Sequence, residues 1–421
     1  MKRLFAVLWL AAFLAGLAGV IARLVYGHAV AGYTSSVPWG VWVALYVWLS
    51  GLSAGAFLIS SLDYVFRVKA LEHVGKLAVQ AALAALVSGL LAIWFDLGHM
   101  ARFWRVLLTP NFRSMMTWMV WLYAAYFIVL VMETWYLKRA DLARLAAGQG
   151  IRASVARALT FGKQDLTAES LARDARQARL YAGIGLPVAI AFPAVAGLLF
   201  GVVEARPYWN SALLPMLFVV SALTSGAALL SFLVGFWPPR DDAEGYRDAA
   251  RYLGTLTLGL LVLELFLEVS DFLVGLYGTA PGHALPVQWS VAGPGWWIFW
   301  LLAIGVGALL PIVLLWRGKA SPSRVGLAGL LVVLGLLAVR FLVVVPGLLV
   351  APLRGLPTAY VEPRLAFHYV PSLVEWLVAL FVLAVGIGLF YLSNLGLCVP
   401  DDTNWAVPQG STPMGQTGRE A

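Results

Sequence analysis

Ten long apolar runs, parted by shorter polar stretches, set the pattern of this chain. They fall at about 4–25, 40–66, 74–95, 116–137, 181–202, 211–236, 250–277, 295–316, 324–346 and 374–396. A helix rises about 1.5 Å per residue, so each run is long enough to cross a hydrocarbon core of about 30 Å. The pattern predicts an all-α, polytopic integral membrane protein of about ten transmembrane helices. The first run follows Lys2 and Arg3. It exceeds the usual apolar stretch of a signal peptide, and no small-residue cleavage pattern follows it before Pro38, so it reads as a retained span.

One internal repeat organises the runs. Leu49–Leu62 (LSGLSAGAFLISSL) matches Val220–Leu233 (VSALTSGAALLSFL) at an offset of 171 residues. One further residue of offset sets Asp96 against Glu268. Small residues recur in membrane helices for packing reasons, so the acidic match is what strengthens the repeat. The expected layout is a first helix and outer loop over 1–36, then a four-helix bundle over 37–202 that includes a basic loop, 138–180. A second, parallel four-helix bundle follows over 203–346, then an outer loop and last helix over 347–396 and a disordered cytoplasmic tail over 397–421.

Composition agrees with this picture. The chain is 61% hydrophobic and 12% charged, about half the charge of a soluble domain, and its mean hydropathy is +0.85. Its net charge of +8 reads as positive-inside bias, not as a nucleic-acid surface. With the N-terminus inside, 21 of the 29 Lys and Arg fall in inner segments and 7 in outer ones, with Arg340 inside a span. Both termini are therefore expected in the cytoplasm. Loop 138–180 carries nine of the inner basic residues. It is expected to form amphipathic helices on anionic headgroups, or else a docking surface for a cytoplasmic partner.

Candidate chemistry is sparse. The single cysteine, Cys398, excludes an internal disulfide, a Cys-ligated iron–sulfur cluster and a Cys-based zinc site. No two histidines sit at facing depths in spans, so a haem with two axial histidines is not expected. No metal-binding cluster is evident. Charged groups within spans are costly and raise a functional hypothesis. Asp96 ends the third span, followed by His99 and Arg102. One reading pairs Asp96 with Arg102 beneath an interfacial tryptophan belt. The other is a pocket for an amphipathic ligand, where a carboxylate and an imidazole exchange protons with one ring and Trp42, Tyr46 and Tyr123 form its walls. In the seventh span Glu264, Glu268 and Asp271 share one face at i, i+4, i+7. Arg340 in the ninth span is their natural counter-ion. They form either a buried ion-pair network or, with Glu133 of the fourth span, a proton path.

The ordered set WGVWVALYVWLSGLSAGAFL (from Trp39), DLGHMARFW (from Asp96), PNFRSMMTW (from Pro110) and YVPSLVEW (from Tyr369) resembles the NrfD/PsrC family. These are membrane subunits of polysulfide reductase, formate-dependent nitrite reductase and related respiratory complexes. The ten-span layout is most similar to the longer branch, which includes the hydrogenase-2 membrane subunit and DsrP-type subunits. The resemblance implies a bacterial or archaeal inner-membrane subunit that binds menaquinone or ubiquinone near the outer face. It further implies electron exchange with an extrinsic ferredoxin-like iron–sulfur subunit, beside a catalytic subunit that is a molybdenum enzyme, a hydrogenase or a multihaem cytochrome. No haem or iron–sulfur cluster is implied in this chain. Asp96 matches the acidic residue close to the quinone. Tyr46 stands where shorter members place a histidine, a departure for which His99 is the expected substitute.

The expected function is thus quinone-linked electron exchange. Asp96 and His99 exchange protons at the ring, Arg102 orients Asp96, and outer loops 97–115, 278–294 and 347–373 receive the partner. A proton-coupled secondary transporter is the rival reading, since a parallel repeat and intramembrane charges suit it too. A plain membrane anchor is the third.

Overall fold

The computed structural model describes residues 2–72, 74–237, 243–277, 281–316, 320–351, 355–359 and 362–395. Among these the structure is helical, without strands. In lipid every backbone amide must find a partner within its own segment, and a helix provides this. The long helices are α1 (Lys2–Tyr26), α2 (Val41–Tyr64), α3 (Gly75–Asp96) and α4 (Met115–Ala146). Beyond them come the short α5 (Ile151–Leu159), α6 (Ala168–Gly201), α7 (Leu214–Phe236), α8 (Ala243–Tyr277) and the short α9 (Pro281–Val291). Helix α10 (Ile298–Leu315), α11 (Pro322–Val344) and α12 (Leu373–Leu395) complete the order.

Among the described residues, nine of these helices are apolar and long enough to cross a membrane. Helix α8, of 35 residues, is longer still. Glu264, Glu268 and Asp271 lie in its apolar part, which separates it from the other nine. The architecture is that of a polytopic membrane protein of about ten helices. The expected tail, 397–421, lies outside the described residues.

Helix α2 is the centre of the molecule. Nearly every residue of it is buried, because α3, α6, α7 and α11 all pack on it. Its contact with α7 joins the two copies of the repeat: a methyl group at Gly55 would run into the Ala222 carbonyl and the Gly226 amide, and one at Gly226 would run into Gly55. These glycines occupy equivalent repeat positions, and the absence of both side chains lets the two backbones touch. Helices α4 and α6 pack on each other, as do α7 with α8 and α11, and α10 with α11. Helices α1 and α12 pair, tied by the Trp9 indole donating to the Ala384 carbonyl at 2.7 Å, and α12 lies against α3.

The basic loop differs from expectation. Helix α4 runs on to Ala146 and α6 already begins at Ala168, so only α5 is a separate helix there. It folds back along α4: the Trp135 indole donates to the Leu159 carbonyl at 2.9 Å, and Ala156 packs with Leu142 and Ala146. The Arg139 guanidinium, buried, holds the return by bonding Asp174, Ser170 and the carbonyls of Lys163 and Asp165. These satisfied donors, together with the docked Ala face of α5, build a helical hairpin whose short helix is amphipathic, with Ile151, Val155 and Leu159 exposed.

Candidate functional site

Asp96 is the last residue of α3 and is buried. Its carboxylate accepts a hydrogen bond from the Tyr33 hydroxyl at 2.7 Å. Tyr33 lies in the segment between α1 and α2, and its ring packs edge-on against His28 and Trp42. The cation beside Asp96 is Arg23, also buried. Its guanidinium donates to the carbonyls of Phe95 and Leu97, both at 2.9 Å, and so caps the end of α3 where carbonyls lack helical partners. The guanidinium also lies 5.7 Å from the Trp42 ring centroid.

The first turn of α12 closes this cluster. Glu375, fully buried, accepts from the Gly32 amide at 3.0 Å, the Ser372 amide at 2.8 Å and the Tyr369 hydroxyl at 2.6 Å. The Tyr369 oxygen in turn accepts from the Val41 amide at 2.8 Å, and a side chain at Gly40 would displace that hydroxyl. The Trp42 indole donates to the Glu375 carbonyl at 3.1 Å. Burial and the neighbouring carboxylates push the Tyr33 and Tyr369 hydroxyls far above their usual value, so both remain protonated donors.

Two of the expected residues, Arg102 and His99, sit differently from the sequence reading. Arg102 is exposed and its side chain bonds nothing among the described residues, so it does not orient Asp96; Tyr33 does, with Arg23 alongside. His99 is exposed in the turn after α3. The imidazole packed into the cluster is that of His28, whose Nε2 is buried without a partner. The sequence reading missed Arg23, His28, Tyr33, Tyr369 and Glu375. Two of these, Tyr369 and Glu375, belong to YVPSLVEW, one of the motifs that carry the family resemblance; the other three lie in a stretch that no motif covers.

Deeper in the first bundle, one turn from Trp42, Tyr46 stacks on Tyr123 with centroids 5.6 Å apart and contacts Met119 Sδ at 3.5 Å. The Tyr123 hydroxyl and Ser50 Oγ are buried without a hydrogen-bond partner. Tyr126 donates to the Ser53 carbonyl at 3.1 Å. Further along α4, Glu133 is fully buried and neither carboxylate oxygen is bonded. Groups of this kind, buried and unsatisfied, are uncommon and call for a physical explanation.

Helices α8 and α11 hold the other expected charges. Glu264 and Arg340 are buried, yet no Glu264–Arg340 or Glu268–Arg340 ion pair forms. The Arg340 guanidinium instead lies over the Phe218 ring, 4.4 Å from its centroid, with Nη1 unpartnered. Both Glu264 oxygens and Glu268 Oε1 are likewise unpartnered. Asp271 accepts from Ser211 Oγ at 2.6 Å. The expected ion-pair network is therefore absent among the described residues. Arg340 instead forms a shared wall: it lines a narrow cavity of ≈ 10 Å³ with Ser50, Tyr123 and Phe218, and a larger one of ≈ 140 Å³ with Glu268 and Asp271.

A family model, described as polysulphide reductase, NrfD, matches residues 29–352. This span takes in Tyr33, Trp42 and Asp96 of the outer cluster, Tyr46, Tyr123 and Tyr126, and Arg340, while Arg23, His28, Tyr369 and Glu375 lie outside it. The chain belongs to the NrfD family. A selenate reductase subunit of Mesobacillus selenatarsenatis is 36% identical over 385 residues, covering 90% of each protein. The Hdr-like menaquinol oxidoreductase integral membrane subunit of Archaeoglobus fulgidus is 27% identical, covering 86% of each. Protein NrfD of Escherichia coli is 28% identical over 325 residues, covering 74% of this chain and 95% of its own length.

Proposed function

We propose that this NrfD-family chain is the quinone-binding membrane subunit of a respiratory oxidoreductase, with its ligand site in the first bundle. The observation that carries the reading is the buried carboxylate of Asp96, held by Tyr33 at the end of α3 beside the imidazole of His28, whose Nε2 is buried without a partner. Orphaned polar atoms at Tyr123 and Ser50, with aromatic walls from Tyr46 and Phe192, suit a flat ring bearing two oxygens. The space lined by Ser50, Tyr123 and Phe192 is ≈ 10 Å³, about one water, so a ring enters only as these side chains give way.

A bound quinone supplies two-electron, two-proton chemistry. Asp96 and His28 would hold or take protons for the ring, Tyr33 fixes the Asp96 rotamer, and Tyr123 would offer a hydroxyl. Relatives named as parts of selenate and polysulfide reductases support an extrinsic iron–sulfur partner, with a catalytic subunit beyond it, as the other end of the electron path. The positive-inside bias supports both termini in the cytoplasm and the Asp96 end of α3 on the outer side, where the partner would dock, of a bacterial or archaeal inner membrane.

Glu133, Tyr126, Ser53, Ser50 and Tyr123 form a polar file through the first bundle, and Arg340 joins it to Glu264, Glu268 and Asp271. We assign this file to proton transfer, since hydrated carboxylates can pass protons along it. The test is Asp96→Asn in the assembled complex. Quinone-dependent turnover should collapse while the partner subunits remain bound. Turnover at the wild-type level would refute the assignment, as would transport of a solute by the purified chain alone.

A further inference from the structure

We infer that the ≈ 140 Å³ cavity of the second bundle is a separate site for a neutral isoprenoid, a quinone whose ring lies against Arg340 and Glu268. The site stands on its own geometry; naming the ligand a quinone rests on the function proposed above.

Four observations converge. The cavity lies between α8 and α10, with Leu265, Glu268 and Phe272 on one side and Phe299 and Ala303 on the other. Cavities of about 150 Å³ accept a benzene-sized ring, so there is already room here, unlike in the first bundle. Second, the polar groups aimed into it lack partners: Arg340 is 3% exposed with a bare Nη1, and Glu268 Oε1 is buried and unbonded. A buried guanidinium without a carboxylate in bonding reach is costly unless something else accepts from it. A ring carbonyl would do so.

Third, the charge balance selects the ligand. The lining sets Arg340 and the imidazole of His283 against Glu268 and Asp271, with Glu264 one turn away, so the carboxylates disfavour a phosphate headgroup, whereas a neutral ring with acceptor and donor oxygens meets both signs. Fourth, the flank between α8 and α10 faces hydrocarbon. Phe266, Val269, Trp300 and Leu301 are exposed there, and the two helices meet across it through the stacked rings of Phe272 and Phe299, with centroids 5.2 Å apart. An isoprenoid tail can leave through that seam. Residues Ile298–Leu309 of α10 are wound as a π-helix, a rare form that concentrates at functional sites.

The repeat gives the placement a logic, since Glu268 lies one residue from the repeat counterpart of Asp96. Each half of the molecule thus buries a carboxylate, but only the second sets it beside a ring-sized space.

The experiment is photolabelling of the assembled complex in lipid nanodiscs with an azidoquinone, followed by peptide mapping. The expected result is label on two sets of peptides, one around Trp42–Tyr46 and Tyr123, the other within 265–272 and 299–304. Ala303→Phe, which fills the cavity, should abolish the second set and spare the first; Val343→Phe serves if the first variant fails to assemble. Label confined to the first bundle, or second-bundle label that survives both substitutions, would overturn the inference. Label confined to the second bundle would instead sink the first-bundle quinone assignment and leave this one standing. Recovery of phospholipid from the cavity with no azidoquinone label there would also overturn it.

Discussion

The Tyr33 hydroxyl donates to Asp96 Oδ1 at 2.7 Å across 63 residues of sequence. Asp96 ends α3 with no side-chain bond from its own helix, so this one phenol sets its rotamer. Tyr33→Phe removes the donor and little volume. An acceptor left unsatisfied in a buried site costs about 1–3 kcal/mol. Quinone-linked turnover should fall by about tenfold, as a shift of about 1.4 kcal/mol implies. Stopped-flow reduction of the complex by quinol reads this directly, and an unchanged rate would show that Tyr33 does not hold the working rotamer.

Arg23 and Arg102 are predicted to behave oppositely. Arg23 is buried and bonds two carbonyls at the end of α3, whereas Arg102 is exposed and bonds nothing among the described residues. Hydrogen bonds from a charged donor contribute about 1.5–3 kcal/mol each. Arg23→Ala should therefore lower the melting temperature of the purified subunit in detergent. Arg102→Ala should leave both melting and quinone turnover near wild type. Loss of turnover in Arg102→Ala with normal assembly would restore that residue to the site.

The Gly55–Gly226 contact predicts intolerance of even one methyl group. Added methylenes in a filled core cost about 1–3 kcal/mol, and here the clash is with backbone, which cannot rotate away. Gly55→Ala and Gly226→Ala should each reduce the yield of folded protein in membranes, seen as loss of the monodisperse peak in size-exclusion chromatography. Ala227→Gly, beside the contact, serves as a control for helix propensity alone.

At the opposite end, Arg139 ties α4 to the hairpin through Asp174. Removing one partner of a buried pair costs about 3–5 kcal/mol. Asp174→Ala should free the return segment, so trypsin should cut after Arg157 or Lys163 far faster than in wild type. Equal digestion rates would show that the Ala face of α5 suffices to hold the hairpin.

The tyrosines also predict a pH effect on stability. Burial and nearby carboxylates raise the Tyr33 and Tyr369 hydroxyls above the usual value of about 10. Above that pH the unfolded chain loses these protons while the folded chain keeps them, so unfolding is favoured as pH rises. The contribution is fully present below about pH 10 and declines above it. Melting curves between about pH 8 and 11 should show a steeper alkaline loss in wild type than in Tyr369→Phe.

Much of the molecule was legible in the chain. The ten apolar runs match the long helices within a few residues at most ends, because hydrocarbon thickness fixes how long an apolar helix must be. The exceptions are the inner ends of α4, α6 and α8, where the helix continues into polar surroundings and hydropathy alone cannot show it. The buried carboxylates Asp96, Glu133 and Glu264 were legible too, since a charge in an apolar run draws notice whatever surrounds it.

Partner choice was not legible. Arg102, six residues from Asp96, looked like its counterpart, yet the turn after α3 carries both Arg102 and His99 out to the surface. Arg23, His28 and Tyr33 reach Asp96 because α1 pairs with α12 and α12 packs on α3, which brings loops from the two ends of the described chain over the same helix end. Similarly, Arg340 looked like the counter-ion of Glu264 and Glu268, but α11 sets its guanidinium over Phe218. Sequence by itself determined about how many long helices there are, roughly where they run and that Asp96, Glu133 and Glu264 lie in apolar runs, because those depend on local transfer free energies. Only the tertiary structure decided which donors meet those carboxylates and where space remains, because both depend on the packing of helices far apart in the chain.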